Sequence, residues 1–152
     1  MATESADDEA ELRAERLRYG REGARSIAPG SALRALLAPG EVVRAVETGV
    51  VILGRPGDRR AGGLAPVAGD LAVTSHQLLH LGPTPLVVRL EDVEDAAIAP
   101  DRLLLILTHG QSLVLGTRRP RLIRFHISRA RADRAAALRV VREVAPDQAP
   151  ER

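Results

Sequence analysis

The chain has 152 residues and a formal net charge of +2, and it contains no Cys, Trp, Lys or Asn. Without Cys it has no thiol nucleophile, thiolate metal ligand or disulfide, and without Lys it has neither a P-loop lysine nor a Schiff-base lysine. Aromatic residues make up 1% of the sequence, so platforms on which nucleic-acid bases could stack are nearly absent.

All 22 basic side chains are Arg, and they are unevenly distributed. Residues 1–30 carry five Arg and seven Asp or Glu, residues 31–117 carry seven and nine, and residues 118–152 carry ten and four. The net charges of the three segments are therefore −2, −2 and +6. This distribution indicates that the C-terminal segment can bind phosphates or an acidic partner.

The acidic start of the chain predicts a helix over residues 6–24. Asp7 and Asp8 complement the positive end of a helix dipole. Leu12 and Leu17 do not make a full apolar stripe, so we expect a solvated, partly frayed helix or one that orders on a partner. This segment is no signal peptide, and no apolar run approaches the ~20 residues of a membrane span, which favours a cytoplasmic protein.

A short helix and a series of strands follow. Ser31 is expected to cap a helix over residues 31–38, and Gly49 to bend the first strand. The Gly and Pro content predicts a loop over residues 54–69, and His109-Gly110 predicts a tight hairpin turn. The strand candidates are residues 41–54, 70–74, 77–82, 86–93, 95–99, 102–109 and 111–117.

Pro120 predicts the start of the last helix, which is expected to end at Pro146. One face of this helix is apolar at the helical period and an Arg-rich stripe adjoins it. Strands followed by one amphipathic helix imply an α+β fold, a small antiparallel β-barrel of about seven strands whose open end the helix caps. The predicted apolar face comprises Ile123, Ile127, Ala130, Ala137, Leu138 and Val141.

Several segments together resemble the bacterial pleckstrin-homology-like (PH-like) and GRAM domain families. A Pro-Gly-Glu lead-in, a Gly-x-Leu-x-Val-Thr hairpin and a strand that ends in acidic residues carry the likeness. It extends over about residues 36–145 and implies a PH-like binding domain. The segments are LLAPGEVV (36–43), GDLAVTSHQLLHLG (69–82), VVRLEDVEDAAI (87–98), RLLLILTHGQSLVLGT (102–117) and the terminal helix.

This resemblance divides the chain into three parts. Residues 1–30 form a charged N-terminal extension, helical or partly disordered. Residues 31–146 are expected to form the PH-like domain, and residues 147–152 a disordered tail.

Two Arg clusters are the candidate ligand-binding residues, because guanidinium groups bind phosphates and carboxylates in a forked geometry. The first cluster opens the last helix, and its alternative role is a solvated face on which some of the Arg pair with the acids of residues 91–95. The second lies in the long loop, where PH-like domains that bind phosphorylated headgroups carry basic residues. The clusters are Arg118, Arg119, Arg121 and Arg124, and Arg55, Arg59 and Arg60.

The sequence predicts neither a metal site nor a cofactor. His76 and His80 fall on the same face of a strand, but their separation of ~13 Å is too large for one metal ion. The acidic run 91–95 lacks the Gly-punctuated spacing of a calcium loop.

We therefore expect a non-enzymatic binding or assembly module with no catalytic residues and no small-molecule substrate, since common catalytic motifs are absent. The first hypothesis is an adaptor that joins proteins, including copies of itself, through its sheet edge and acidic N-terminal segment. A second is a peripheral module at the inner face of the membrane whose Arg clusters bind anionic lipid. A third is a weak nucleic-acid binder.

Overall fold

The structure is a computed structural model that describes residues 2–54 and 66–148. This part of the chain forms three α-helices and seven strands, with short 3-10 turns at Leu90–Asp92 and Thr108–Gly110. The helices are α1 (Ala2–Glu22), α2 (Ser31–Arg34) and α3 (Pro120–Gln148). The strands are β1 (Val43–Gly54), β2 (Val67–Thr74), β3 (Gln77–Leu81), β4 (Leu86–Arg89), β5 (Val93–Ala99), β6 (Arg102–Leu107) and β7 (Ser112–Gly116).

The strands form one antiparallel sheet in the order β4-β3-β2-β1-β7-β6-β5. The predicted α+β class and the number of strands are confirmed. The sheet is not closed into a hydrogen-bonded ring, because β4 and β5 lie at its two edges. The predicted single strand over 86–93 is wrong, since the chain must pass from one edge of the sheet to the other and does so through the turn at Leu90–Asp92.

The predicted bend in β1 is confirmed at Gly49. Its φ of +67° lies in the left-handed region that glycine adopts readily. The pairing register with β2 shifts between Glu47 and Val50, so the bend coincides with a bulge. The strand therefore changes direction immediately after Glu47.

The predicted apolar face of α3 is buried only in its first half. Ile123 and Ile127 pack into the main core, whereas Ala137 is exposed and Val141 is 62% exposed. Leu138 lies beside the turn at Leu90–Asp92, in a cleft that Leu90 and Glu91 also line. The helix also continues through the predicted end at Pro146 to Gln148.

A polar network joins two of the segments that carry the PH-like resemblance. The Glu41 carboxylate, nearly buried, accepts hydrogen bonds from the Ala38 amide at 2.9 Å and from the Gln77 side chain at 3.2 Å. The Thr74 hydroxyl also donates to Glu41. The lead-in to β1 is thereby fixed to the β2–β3 turn.

The predicted cap of α2 is wrong, because Gly30 holds the N-cap position and Ser31 is already helical.

The N-terminal helix α1 is docked on α3, and most of its described side chains remain exposed, as expected of a solvated helix. Contacts pair Asp8 with Arg121 and Tyr19 with Asp133, which shows that the two helices run side by side in the same direction. The single Tyr and single Phe meet there edge to face, with the ring centroids of Tyr19 and Phe125 6.0 Å apart. Such pairs stabilise an interface by about 0.5–1.5 kcal/mol beyond their buried area.

Candidate functional site: two clefts beside the docked helix

Asp8 of α1 caps the first turn of α3 from outside that helix. Its two carboxylate oxygens accept hydrogen bonds from the Arg121 amide at 2.9 Å and from the Leu122 amide at 3.2 Å. These are two of the amides that a helix leaves without internal partners, and a carboxylate there complements the helix dipole. Because Asp8 is 1% exposed, this contact fixes α1 in place.

A cleft of about 510 Å³ opens on one side of this contact, between α1, the start of α3 and the middle of β1. We call it the β1 cleft. Its volume falls within the range of small-ligand sites, ~300–1,000 Å³. Apolar residues, among them Ile27, Ala45 and Leu122, form part of its lining. The ionisable lining residues are Glu11, Glu15, Glu47, Arg18, Arg25, Arg119 and His126.

Glu15 is held in the β1 cleft by two guanidinium groups. Arg18 lies 2.6 Å from one carboxylate oxygen, and Arg25 lies 2.9 Å from the other. Burial alone would raise the pKa of Glu15, but the hydrogen bonds from Arg18 and Arg25 outweigh it and lower this pKa from 4.5 to about 2. Glu15 is therefore firmly ionised at neutral pH, and both Arg side chains are committed to it.

Glu47 is the carboxylate of the β1 cleft with the weakest pairing. Its side chain is 18% exposed, and its contact with the Arg119 guanidinium is 3.6 Å long. Arg119 lies closer to Glu11, at 2.7 Å. Burial raises the pKa of Glu47, the Arg119 charge only partly opposes this, and Glu11 and Asp8 raise it further.

His126 adds a second ionisable group to the β1 cleft. It lies half-buried on the first half of α3, with its ring 5.6 Å from that of Phe125. Burial lowers the pKa of His126 and so favours the neutral imidazole. The charge of Glu15 raises this pKa, whereas the charges of Arg25 and Arg18 lower it further. A neutral imidazole retains one nitrogen that accepts hydrogen bonds.

A second cleft, of about 350 Å³, opens on the other side of the α1–α3 contact, next to β5. We call it the Arg groove. Asp95 is the one acidic residue among the described residues that line it, against four guanidinium groups. Leu12 and Phe125 add apolar surface. The four basic lining residues are Arg16, Arg121, Arg124 and Arg131.

The four guanidinium groups of the Arg groove differ in how far they are engaged. Arg121 lies 3.8 Å from Asp8 and 3.8 Å from Glu9. Arg131 donates to the Glu94 carbonyl at 3.3 Å, and Arg16 lies over the Phe125 ring at 5.9 Å. Arg124 is exposed and has neither a hydrogen bond nor an ion pair within the described part of the chain.

The structure divides the first predicted Arg cluster among different surfaces. Arg119 lines the β1 cleft, Arg121 and Arg124 line the Arg groove, and Arg118 is exposed and lines neither. Acids of α1 pair with Arg119 and Arg121. The alternative role, a solvated face with some Arg pairing to the acids of residues 91–95, stays a prediction.

The second predicted cluster, Arg55, Arg59 and Arg60, lies outside the residues that the structure describes. The acids of residues 91–95 have separate local partners: Arg134 contacts Glu91 at 2.8 Å, and Arg89 contacts Asp92 at 3.4 Å. Glu91 and Asp92 therefore form ion pairs with Arg residues outside the two predicted clusters.

His76 and His80, which the sequence places on one face of a strand, lie in different surroundings. His76 lies in the β2–β3 turn, with its Nδ1 2.7 Å from the Ser75 hydroxyl. His80 is 2% exposed, and its Nε2 donates to the Val50 carbonyl at 2.8 Å. Within residues 2–54 and 66–148, no group of three His, Asp or Glu side chains is arranged to hold a metal ion. No helix in the same ranges is long and apolar enough to cross a membrane.

Sequence reasoning did not assign to a site the α1 residues that line the two clefts or the β1 residue Glu47 that lines the β1 cleft. Glu15, Glu47 and Arg16 looked like ordinary charges on a helix or strand. One available signal was the alternation of β1, because a charged residue at position 47 of a Val-rich strand is a candidate for partial burial.

The comparisons with known proteins bear on the fold. No protein-family model matches the chain, and no curated protein matches it. Among solved structures, it is similar to the C-terminal domain of an unknown protein from Leishmania infantum, with a TM-score of 0.51 and 13% sequence identity. The match covers 65% of this chain and 91% of that chain. At this identity the likeness shows the fold alone.

Proposed function

We propose that the chain is a non-enzymatic PH-like module that binds an acidic segment of a partner protein in the Arg groove. The observation that carries the proposal is the convergence of four guanidinium groups from α1 and α3 on one groove with a single carboxylate. The order of the seven strands and the C-terminal helix packed on them support the PH-like assignment.

An acidic protein segment fits the groove better than the other ligands considered. Carboxylates form charge-assisted hydrogen bonds with Arg, and the apolar surface of Leu12 and Phe125 gives a peptide side chain a place to pack. A bilayer surface cannot enter a recess between two helices as a flexible peptide can. The two aromatic rings, Tyr19 and Phe125, pack against each other, which disfavours base stacking.

Strand addition at the open edge of β5 is less favoured than side-chain recognition. The pairing register of β5 is irregular between Val93 and Asp95. The Glu94 carbonyl already accepts from Arg131, and the Ala96 amide donates to the Asp95 carboxylate at 2.8 Å. A bulge and locally satisfied backbone groups are the features that protect edge strands from pairing.

The test is fluorescence anisotropy with a labelled peptide of Asp, Glu, Leu and Phe and with its Asn and Gln counterpart. The full chain is expected to bind the acidic peptide alone. The double variant Arg124→Glu with Arg131→Glu is expected to weaken this binding about 100-fold, because each lost charge-assisted hydrogen bond costs ~1.5 kcal/mol or more.

The matched control is Arg34→Glu with Arg102→Glu, which changes the net charge equally at sites away from the groove. Equal weakening in both double variants would mean that only net charge matters and would overturn the proposal. Failure of the acidic peptide to bind, with co-sedimentation on phosphatidylserine vesicles, would replace it with the membrane-surface hypothesis.

A further inference from the structure

Two hydrogen-bond acceptors in the β1 cleft have no donor within the described part of the chain. Glu47 accepts no hydrogen bond, and its one ion contact, to Arg119, is 3.6 Å long. The His126 imidazole also makes no hydrogen bond. Neither side chain is fully enclosed, so both acceptors remain available to a donor that enters the cleft.

The guanidinium groups of the cleft are already committed elsewhere. Arg18 and Arg25 both clamp Glu15, at 2.6 Å and 2.9 Å. Arg119 is divided between two carboxylates and lies nearer to Glu11 than to Glu47. What the cleft lacks is therefore an N–H donor with a positive charge next to Glu47.

We propose that the β1 cleft binds a guanidinium or alkylammonium group, with Glu47 as its counter-ion and His126 as an additional acceptor. Such groups carry several N–H donors and no acceptor, which matches what the two side chains lack. The group belongs either to a free organic amine or to a basic side chain of a protein partner. This site is separate from the Arg groove, and the inference does not rest on the proposed function.

The apolar part of the cleft suits the body of such a ligand. Ile27, Ala45 and Val46 lie in the lining together with Leu122. Alkyl stems of basic groups pack on apolar surface while their charged ends reach a counter-ion. A short alkylguanidine is therefore a fitting probe for this cleft.

The experiment is an amide NMR titration of the ¹⁵N-labelled full chain with n-butylguanidine and with N-acetyl-arginine methylamide. The neutral isostere n-butylurea serves as the ligand control. We expect saturable shifts at Glu47, Leu122 and His126 with at least one guanidinium probe and none with the urea. Binding of n-butylguanidine alone would identify a small amine ligand, whereas binding of the arginine derivative would identify a side chain.

The matched variants are Glu47→Gln and Asp101→Asn, since Asp101 is highly exposed and does not line the cleft. Glu47→Gln is expected to weaken binding about ten-fold or more, and Asp101→Asn to leave it unchanged. A thermal melt of Glu47→Gln no lower than that of the parent shows that the loss is not unfolding. The proposal is overturned if neither guanidinium probe binds, if the urea binds as well, or if Glu47→Gln binds as well as the parent.

Discussion

The β1 cleft and the Arg groove lie on opposite sides of the same helix pair, yet their charges are arranged in opposite ways. Three carboxylates and three guanidinium groups line the β1 cleft, and most are paired with each other. Four guanidinium groups and one carboxylate line the Arg groove, and Arg124 is unpaired within the described residues. The β1 cleft thus neutralises most of its own charges, with Glu47 the exception, whereas the Arg groove retains positive charge for a partner.

This difference shows that the number of charges in a segment does not decide its function. The acidic residues of α1 are used inside the molecule: Asp8 caps α3, Glu11 pairs with Arg119 and Glu15 binds two Arg. They also neutralise one side of the basic start of α3. The side facing β5 keeps the positive field that its Arg content predicts.

The largest effect is expected from Asp8→Ala, which removes the contact on which both clefts depend. Two amides of α3 lose their acceptor, one of them buried, so the free energy of unfolding should fall by ~1–2 kcal/mol. Chemical denaturation measures this directly. The variant Asp8→Asn keeps an acceptor oxygen and should lose less; equal losses would contradict the capping role.

The next effect is confined to the β1 cleft and is expected from Glu15→Gln. Loss of the charged clamp to Arg18 and Arg25 should lower the free energy of unfolding by ~1 kcal/mol at neutral pH. Because the pKa of Glu15 falls from 4.5 to about 2 on folding, its contribution is complete above pH 4.5 and is lost as the pH falls towards 2.

Denaturation of the parent and of Glu15→Gln across this pH range checks the assignment. The two stability curves should converge as the pH falls from 4.5 towards 2. A constant difference between them would mean that ionisation of Glu15 does not stabilise the fold.

A smaller effect of opposite sign is expected from Glu47→Gln. This change removes a half-buried charge that is poorly paired, so the free energy of unfolding should rise by up to about 1 kcal/mol. A substitution that raises stability but weakens ligand binding is typical of residues that are retained for function. Destabilisation in urea denaturation would instead make Glu47 a structural partner of Arg119.

The smallest effect is expected from Arg124→Glu. The side chain is exposed and unpaired within the described residues, so the free energy of unfolding should change by less than ~0.5 kcal/mol. Thermal denaturation beside Arg34→Glu, another exposed position, checks this. A large loss of stability would show that Arg124 supports the fold and is not kept for a partner.

Much of the fold could be predicted because its signals are local. Pro120 marks the start of α3, His109-Gly110 marks a hairpin turn whose two residues both have positive φ, and Gly49 marks the bend in β1. These features depend on a few neighbouring residues and on intrinsic backbone preferences. The sequence did not predict that residues 86–93 divide into β4, a turn and the start of β5. This division depends on the positions of β4 and β5 at opposite edges of the sheet.

The candidate site could be predicted only in part, through Arg119, Arg121 and Arg124, because its contacts join residues that are far apart in sequence. Asp8 contacts amides more than 110 positions away, as the separation of 113 from Arg121 shows. The pairing of Arg119 with Glu11 and Glu47 likewise depends on the docking of α1. Charge counts alone therefore identify the basic segment. They do not show which of its Arg side chains remain available to a ligand.

The most direct test of the account is amide hydrogen exchange at Arg121 and Leu122, since both clefts depend on the docking of α1 at the start of α3. Amides in the first turn of a helix normally lack acceptors and exchange rapidly. In the parent chain we predict that both are protected, and that Asp8→Ala removes this protection while the buried Ile127 amide stays protected. Rapid exchange at Arg121 and Leu122 in both proteins would contradict the docked arrangement and, with it, both clefts.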